Sequence, residues 1–165
     1  MRILGIDPGT AITGYGVVEE VRGDVRPLTF GVIRTLSGQP LPSRLQSIYR
    51  AVRELATEWE PGAAAVEELF FSSNVRTAMS VGHARGVTLL ALADAGLDVA
   101  EYTPLTIKQA VTGYGGADKA QIQEMVRLLL GLAEAPRPDD AADALAVAIC
   151  HLHSARLVAL SERQA

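Results

Sequence analysis

Almost at its N-terminus the chain sets a short apolar run, Ile3 to Ile6, against a Pro8-Gly9 break, with one carboxylate, Asp7, at the junction. A second β-rich run, Thr13 to Val18, begins only a few residues later. So short a connection leaves room for a strand, a tight turn and a second strand, and for little else. As a strand, the first run places Asp7 at its carboxyl end, where open α/β sheets keep their ligand crevices. A carboxylate held there can bind a metal ion or face a phosphate. Which of these it does depends on the partners the rest of the chain supplies.

Strand-like runs at 2–7, 13–20 and 26–34 predict an antiparallel meander. Helical spacing of Leu45, Ile48, Tyr49, Val52 and Leu55 predicts a helix over 41–59, stopped by Pro61-Gly62. A short buried strand over 63–66 then ends at Glu67-Glu68. Ser72, Ser73 and Asn74 offer N-caps for a second helix reaching Ala95, and Gly96 ends it. A fifth strand follows over 97–102, then a short helix after Pro104 and a glycine-rich loop over 112–117. Asp118 caps a helix running through Leu132, with Ile122, Met125, Val126 and Leu129 on one face. After the stiff 135–138 linker, an alanine-rich helix runs from Asp139 to about Leu160. The order predicts an α/β fold, a mixed five-stranded sheet flanked by helices, in one domain over 1–165 with 161–165 disordered.

The length of 165 residues and a 48% hydrophobic content suit one domain with a substantial core. Charges interrupt every stretch approaching the ~18 apolar residues of a membrane span, so no membrane partner is expected. Met1-Arg2 leads directly into a strand, without signal-peptide anatomy, and Cys150 has no second cysteine to pair with. Both point to a reducing cytoplasm. The net charge of −4 is local: the excess acid lies in 61–71 and 132–165, while the rest of the chain is balanced. If four carboxylates form one site, two divalent cations cancel the imbalance, so an acidic chain is no argument against DNA or RNA.

Three acidic features carry the chemistry. Asp7 ends strand one, Glu67 or Glu68 ends strand four, and Asp139, Asp140 and Asp143 open the last helix. Neighbouring strands one and four would set the first two carboxylates side by side. Asp140 and Asp143, three apart, share a helical face. Acids brought this close need a cation between them, and oxygen-only ligation favours Mg²⁺ or Mn²⁺ over zinc. The bland alternative is that acids at turns and in first helical turns are favoured locally and need no function.

The segments GIDPGT with TGYGVV, then AVEELF, then DDAADALAVA resemble, in order and spacing, the RuvC family of Holliday-junction resolvases. LPSRL at 41–45, ARGV at 84–87, IKQ at 107–109 and ADKAQIQEMV at 117–126 extend the likeness over nearly the whole chain. The resemblance implies a ribonuclease-H-like fold and a homodimer that nicks two opposed strands of a four-way DNA junction in recombination and repair. It implies the catalytic and metal-holding set Asp7, Glu67, Asp140 and Asp143, leaving Glu68 and Asp139 outside it. The implied reaction is hydrolysis by water between two Mg²⁺ ions about 3.5–4 Å apart, with Mn²⁺ an alternative, leaving 5′-phosphate and 3′-hydroxyl ends. The implied protein partner is the RuvA–RuvB branch-migration complex.

The same resemblance places Phe70 beside unpaired bases, where stacking contributes about 1–3 kcal/mol per base, and Lys108 and Lys119 on the DNA backbone. Phe71 is as well explained by core packing. Arg76 and Arg85 are further phosphate candidates, although Arg85 could equally brace the fold. His83 stands where many relatives have glutamine. His151 and His153 diverge by about 200° on a helix, which suits packing or surface roles better than one shared metal. Apolar Met79, Val81, Val87 and Leu90 mark the second helix as the expected dimer face. Three rivals remain. One lobe of an actin-like ATPase fits the first turn but not the chain length. An RNA-processing nuclease of the same superfamily lacks the LPSRL, ARGV and DKAQIQ set. A non-enzymatic junction binder would not need four acids.

Overall fold

The computed structural model describes residues 1–68 and 75–162. Its first three strands, β1 (Arg2–Asp7), β2 (Ile12–Val21) and β3 (Asp24–Arg34), form the expected antiparallel meander. The β2–β3 turn is made by Arg22 (φ 54°) and Gly23 (φ 96°). Positive φ at both turn residues matches the right-handed twist of the flanking strands. Helix α1 (Leu41–Trp59) then crosses to β4 (Ala63–Glu67), which lies parallel to β1 with Ile6 beside Val66. Helix α2 (Val75–Asp94) crosses to β5 (Val99–Tyr102), parallel to β4. Helices α3 (Pro104–Thr112), α4 (Lys119–Leu129) and α5 (Asp139–Glu162) complete the chain, and the sheet order is β3-β2-β1-β4-β5.

Strand alternation splits the core into two layers. Leu4, Ile6, Val17, Ala64 and Val66 pack with Ile48, Val52 and Leu55 of α1 and Ala84, Ala91 and Leu92 of α2. On the other face Ile3, Val18 and Ala65 meet α5, α3 and α4. Here α5 approaches the sheet backbone directly. A Cβ on Gly5 would stand 2.2 Å from the Ala144 carbonyl oxygen, and one on Gly14 would stand 1.9 Å from that of Asp140. The alanines of α5 complete this close contact: Ala141, Ala142, Ala144 and Ala148 are fully buried.

Three details differ from the sequence reading. Helix α4 stops at Leu129, not Leu132, because Leu130 caps it and Gly131 turns the chain at φ 63°. Strand β5 begins at Val99, with Leu97 packed beside the core. Contrary to the expectation that no stretch could span a bilayer, α5 over Asp139–Val158 has the length and hydropathy to do so. Its apolar side chains are spent on the sheet instead, as in a core helix. The N-cap candidates Ser72, Ser73 and Asn74, together with Phe70 and Phe71, lie outside the described residues.

Candidate active site

Asp7 and Glu67 end the adjacent parallel strands β1 and β4. Alternation puts Asp7, two residues after Gly5, on the face covered by α5, and Glu67, two after Ala65, on the same face. This parity separates Glu67 from Glu68. Glu68 lies just past the strand, its backbone N–H donating to the Tyr102 carbonyl at 2.8 Å. The first turn of α5 arrives over the same point because Gly14, the β2 partner of Asp7, accommodates the Asp140 carbonyl. Asp140 and Asp143 thereby face the strand-end carboxylates, whereas Asp139 is exposed.

The electrostatics of this cluster are unbalanced. Burial, then the charges of Glu67 and Asp143, a hydrogen bond shared with Glu67 and the charge of Asp140 push the Asp7 carboxyl up to about 8. Every cause acting on Asp7 raises it. Burial also raises Glu67, against the pull of the hydrogen bond from Asp7 and of the Lys108 and Lys119 charges. Asp143 is raised by burial, with Lys119 working in the opposite direction. A half-buried pair of carboxyl groups, sharing a hydrogen bond and facing two further acids, is a set of hard oxygen donors short of positive charge. That donor chemistry fits a divalent cation of the Mg²⁺ or Mn²⁺ kind.

Among the described residues no three His, Cys, Asp or Glu side chains stand close enough to hold a metal as they are placed. Lys119 occupies the intervening ground, its Nζ 3.4 Å from both Asp139 Oδ2 and Asp143 Oδ2. Burial works against the ammonium, yet Asp143 and Asp139 together keep its pKa raised. Lys119 is held at the start of α4 by a capping box, in which Asp118 Oδ1 accepts from the Gln121 N–H and Gln121 Oε1 from the Asp118 N–H, both at 2.9 Å. Glu67, Lys108, Lys119 and Asp143 line one cleft of about 250 Å³ between α3, α4 and the sheet end.

The remaining candidates are dispersed. Arg76 lines a shallower cleft with Gly9, Thr10 and Ser80, next to the Asp7 turn. Arg85 forms an ion pair with Glu101 that ties α2 to β5. His83 is exposed on α2. The two α5 histidines are absorbed by packing: His151 Nδ1 is 2.9 Å from the Tyr102 hydroxyl and His153 Nδ1 is 3.0 Å from the Ala110 carbonyl. Buried Cys150, its thiol pushed up to about 11 by burial, is chemically inert. Sequence reasoning missed Thr10, Thr13, Thr35, Arg44 and Ser80, which clamp the turn after Asp7. The threonines of the GIDPGT–TGYG stretch and the arginine of LPSRL were the available signal.

Comparison with known proteins shows the family and the fold. The family model described as crossover junction endodeoxyribonuclease RuvC matches residues 3–151. The chain is 61% identical over 155 residues to the crossover junction endodeoxyribonuclease RuvC of Chloroflexus aurantiacus, covering 94% of each chain. It is 54% identical over 165 residues to that of Syntrophomonas wolfei, covering 100% of this chain and 96% of the relative. Among solved structures, Thermus thermophilus RuvC in complex with a Holliday junction substrate superposes with a TM-score of 0.90 at 42% identity, over 95% of this chain and 96% of that one. The yeast mitochondrial Holliday junction resolvase Ydc2 shares the fold, with a TM-score of 0.67 at 15% identity.

Proposed function

The chain belongs to the RuvC family of crossover junction endodeoxyribonucleases, and on that premise we propose that Asp7, Glu67, Asp140 and Asp143 form its nucleolytic centre for four-way DNA junctions. The protein is a divalent-metal-dependent endonuclease of recombination and repair, and we take its ions to be two Mg²⁺. The observation that carries the reading is the convergence of Asp7 and Glu67 with the first turn of α5, beside a cleft that also holds Lys108 and Lys119.

Bound divalent ions supply an activated water and stabilisation for the leaving oxygen. The chain supplies the rest. Asp7 and Glu67 project from adjacent strand ends, so sheet spacing sets the separation of their backbones, and the turn after Asp7 sets how its carboxylate is aimed. Asp140 and Asp143 come from a helix pressed onto glycine, which leaves them little freedom to retreat. Lys108 flanks the cleft, and Lys119 is parked on Asp139 and Asp143. A phosphodiester entering the cleft offers Lys119 a competing anion. Transfer of Lys119 to the DNA backbone would leave Asp143 unpaired, beside the Asp7, Glu67 and Asp140 carboxylates that would hold the ion with it. Pro8-Gly9 forms the turn at which we place the passing strand, and the turn needs glycine because a Cβ on Gly9 would meet the Ile12 carbonyl at 2.2 Å.

Paired nicking of a two-fold junction calls for two sites, and a homodimer supplies them. We assign the contact to α2, on which Met79 and Leu90 are 60% and 54% exposed. Val81 is half-buried and Val87 packs against the sheet core, so both contribute less than their apolar character suggests. Phe70 remains the proposed base-stacking residue, the RuvA–RuvB complex the proposed protein partner, and the cytoplasm the proposed compartment.

The deciding experiment offers a synthetic four-way junction, a linear duplex of the same sequence and an RNA–DNA hybrid, each with and without Mg²⁺. Symmetric, metal-dependent nicking of the junction alone is the expected result. Preferential cutting of the hybrid would reassign the protein to RNA processing. Sedimentation of a monomer at micromolar concentration would remove the dimer.

A further inference from the structure

The turn after Asp7 is clamped by a chain of hydroxyl groups that the reaction above leaves without a role. Thr13 Oγ1 donates to the Gly9 carbonyl at 2.6 Å, and Thr35 Oγ1 donates to the Thr10 carbonyl at 2.5 Å. Arg44 Nε in turn donates to Thr35 Oγ1 at 2.8 Å. The Thr10 hydroxyl, 5% exposed, donates to the Ser80 carbonyl and accepts from the Ser80 hydroxyl at 2.8 Å. Donation thus runs from Arg44 through Thr35 to the Thr10 carbonyl, and the Thr10 side chain closes a reciprocal pair with Ser80. The hydroxyls of Thr10 and Thr35 each give one bond and receive one, the condition under which a buried polar network rigidifies its surroundings.

Thr13, Thr35 and Arg44 hold the turn to the meander and to the start of α1. The Thr10–Ser80 pair does something different, because Ser80 lies on α2, across 70 residues of sequence and on another layer of the fold. The same two residues line the cleft of about 470 Å³ that also holds Gly9 and Arg76. A DNA strand lying in that cleft would touch both ends of the pair, three residues from Asp7.

Resting on the junction-nuclease reading above, we propose that Thr10 and Ser80 are positioning residues for cleavage. Their reciprocal hydrogen bonds hold the Asp7 turn in register with α2, so that a junction strand seated along α2 sets where the Asp7 carboxylate stands. The pair touches no reacting atom. Its loss leaves the turn's carbonyls still held by Thr13 and Thr35, and the fold persists without it. What degrades is the placement of Asp7 relative to Glu67.

The test uses the full chain with Thr10→Val, Thr10→Ser, Ser80→Ala and the double variant Thr10→Val/Ser80→Ala. Four quantities are measured: single-turnover nicking at saturating junction, junction affinity without divalent metal, Mn²⁺ affinity without DNA by calorimetry, and the folded fraction by circular dichroism. Thr10→Val and Ser80→Ala are expected to slow nicking roughly 10- to 100-fold and to weaken Mn²⁺ several-fold, with the protein folded and junction affinity within about twofold. Thr10→Ser, which keeps the hydroxyl, restores both. The double variant is no slower than Thr10→Val, because Ser80→Ala removes only the Ser80 hydroxyl's bond to Thr10, which Thr10→Val already breaks together with the bond to the Ser80 carbonyl. Wild-type nicking by Thr10→Val and Ser80→Ala, a Thr10→Ser rate as low as that of Thr10→Val, or losses that multiply in the double variant overturn the proposal. If the unaltered protein leaves junctions uncut, the junction-nuclease reading fails. The link is then judged on Mn²⁺ affinity alone, and equal affinity in wild type and Thr10→Val overturns it.

Discussion

The two faces of the central sheet are built on opposite principles. On the α1/α2 face the contact is made by interlocking aliphatic side chains, Leu4, Ile6 and Val17 against Ile48, Val52 and Leu92. On the α5 face side chains are pared back where the helix crosses the strand ends, and its backbone lies directly on Gly5 and Gly14 with alanines filling the seam. The first arrangement stores stability in removable methyl groups and tolerates repacking. The second stores position, because two backbones in contact have one available separation. The carboxylates proposed for catalysis stand on the positional face, while the helix proposed for the dimer stands on the tolerant one.

The largest effect expected is from Asp7→Asn, which alters one donor of the proposed metal set. Nicking should fall by about a thousandfold or more while metal-free junction binding persists. Loss of binding in parallel would mean that Asp7 shapes the fold instead of the chemistry. Next comes a direct contrast between the faces. Gly14→Ala drives a methyl into the Asp140 carbonyl and should cost about 1–3 kcal/mol, together with most of the nicking rate per folded molecule. Ile48→Ala, on the other face, should cost a similar or larger ~2–5 kcal/mol in urea unfolding yet leave the rate per folded molecule near wild type. Equal rates for the two variants would abolish the distinction drawn here.

A smaller effect concerns pH. In the metal-free fold the Asp7 carboxyl is pushed from 3.8 to about 8, by burial first and then by Glu67 and Asp143. Between those values the folded state keeps a proton that the unfolded chain has released. Stability of the metal-free protein should therefore decline as pH rises from about 4 to about 8 and level off beyond. Urea midpoints at pH 5 and pH 8 measure the decline, and Asp7→Asn or added Mg²⁺ should shrink it. A rising midpoint over the same interval would contradict the raised carboxyl. Smallest of all, Lys119→Ala should weaken junction binding only a few-fold and flatten its logarithmic salt dependence by about one unit. An unchanged salt slope would leave Lys119 as a partner of Asp139 and Asp143 alone.

Much of this was legible in the chain. Periodicity, caps and turn residues placed the strands and helices of the described residues, and the meander followed from turn residues between the first three runs. Helix ends were less readable: Gly131 looks like part of a loop, yet its positive φ stops α4 at Leu129. Asp7 was identifiable because a carboxylate at a strand-to-turn junction is a local event. Arg85 stayed open between a phosphate contact and bracing the fold, and its ion pair with Glu101, which joins α2 to β5, favours the brace; no local pattern names that partner. Thr10 and Ser80 escaped for the same reason.

By itself the sequence determined the elements, the strand-end position of Asp7 and the family resemblance, since each depends on residues adjacent in the chain. The choice of Glu67 over Glu68 in the fold came from strand parity. Placing Asp140, and not Asp139, over the site came from the seat that Gly14 provides. Holding Lys119 among the acids came from the packing of α4 beside α5. These three decisions belong to tertiary structure because each turns on which backbone approaches which, and that separation is set only when distant segments meet.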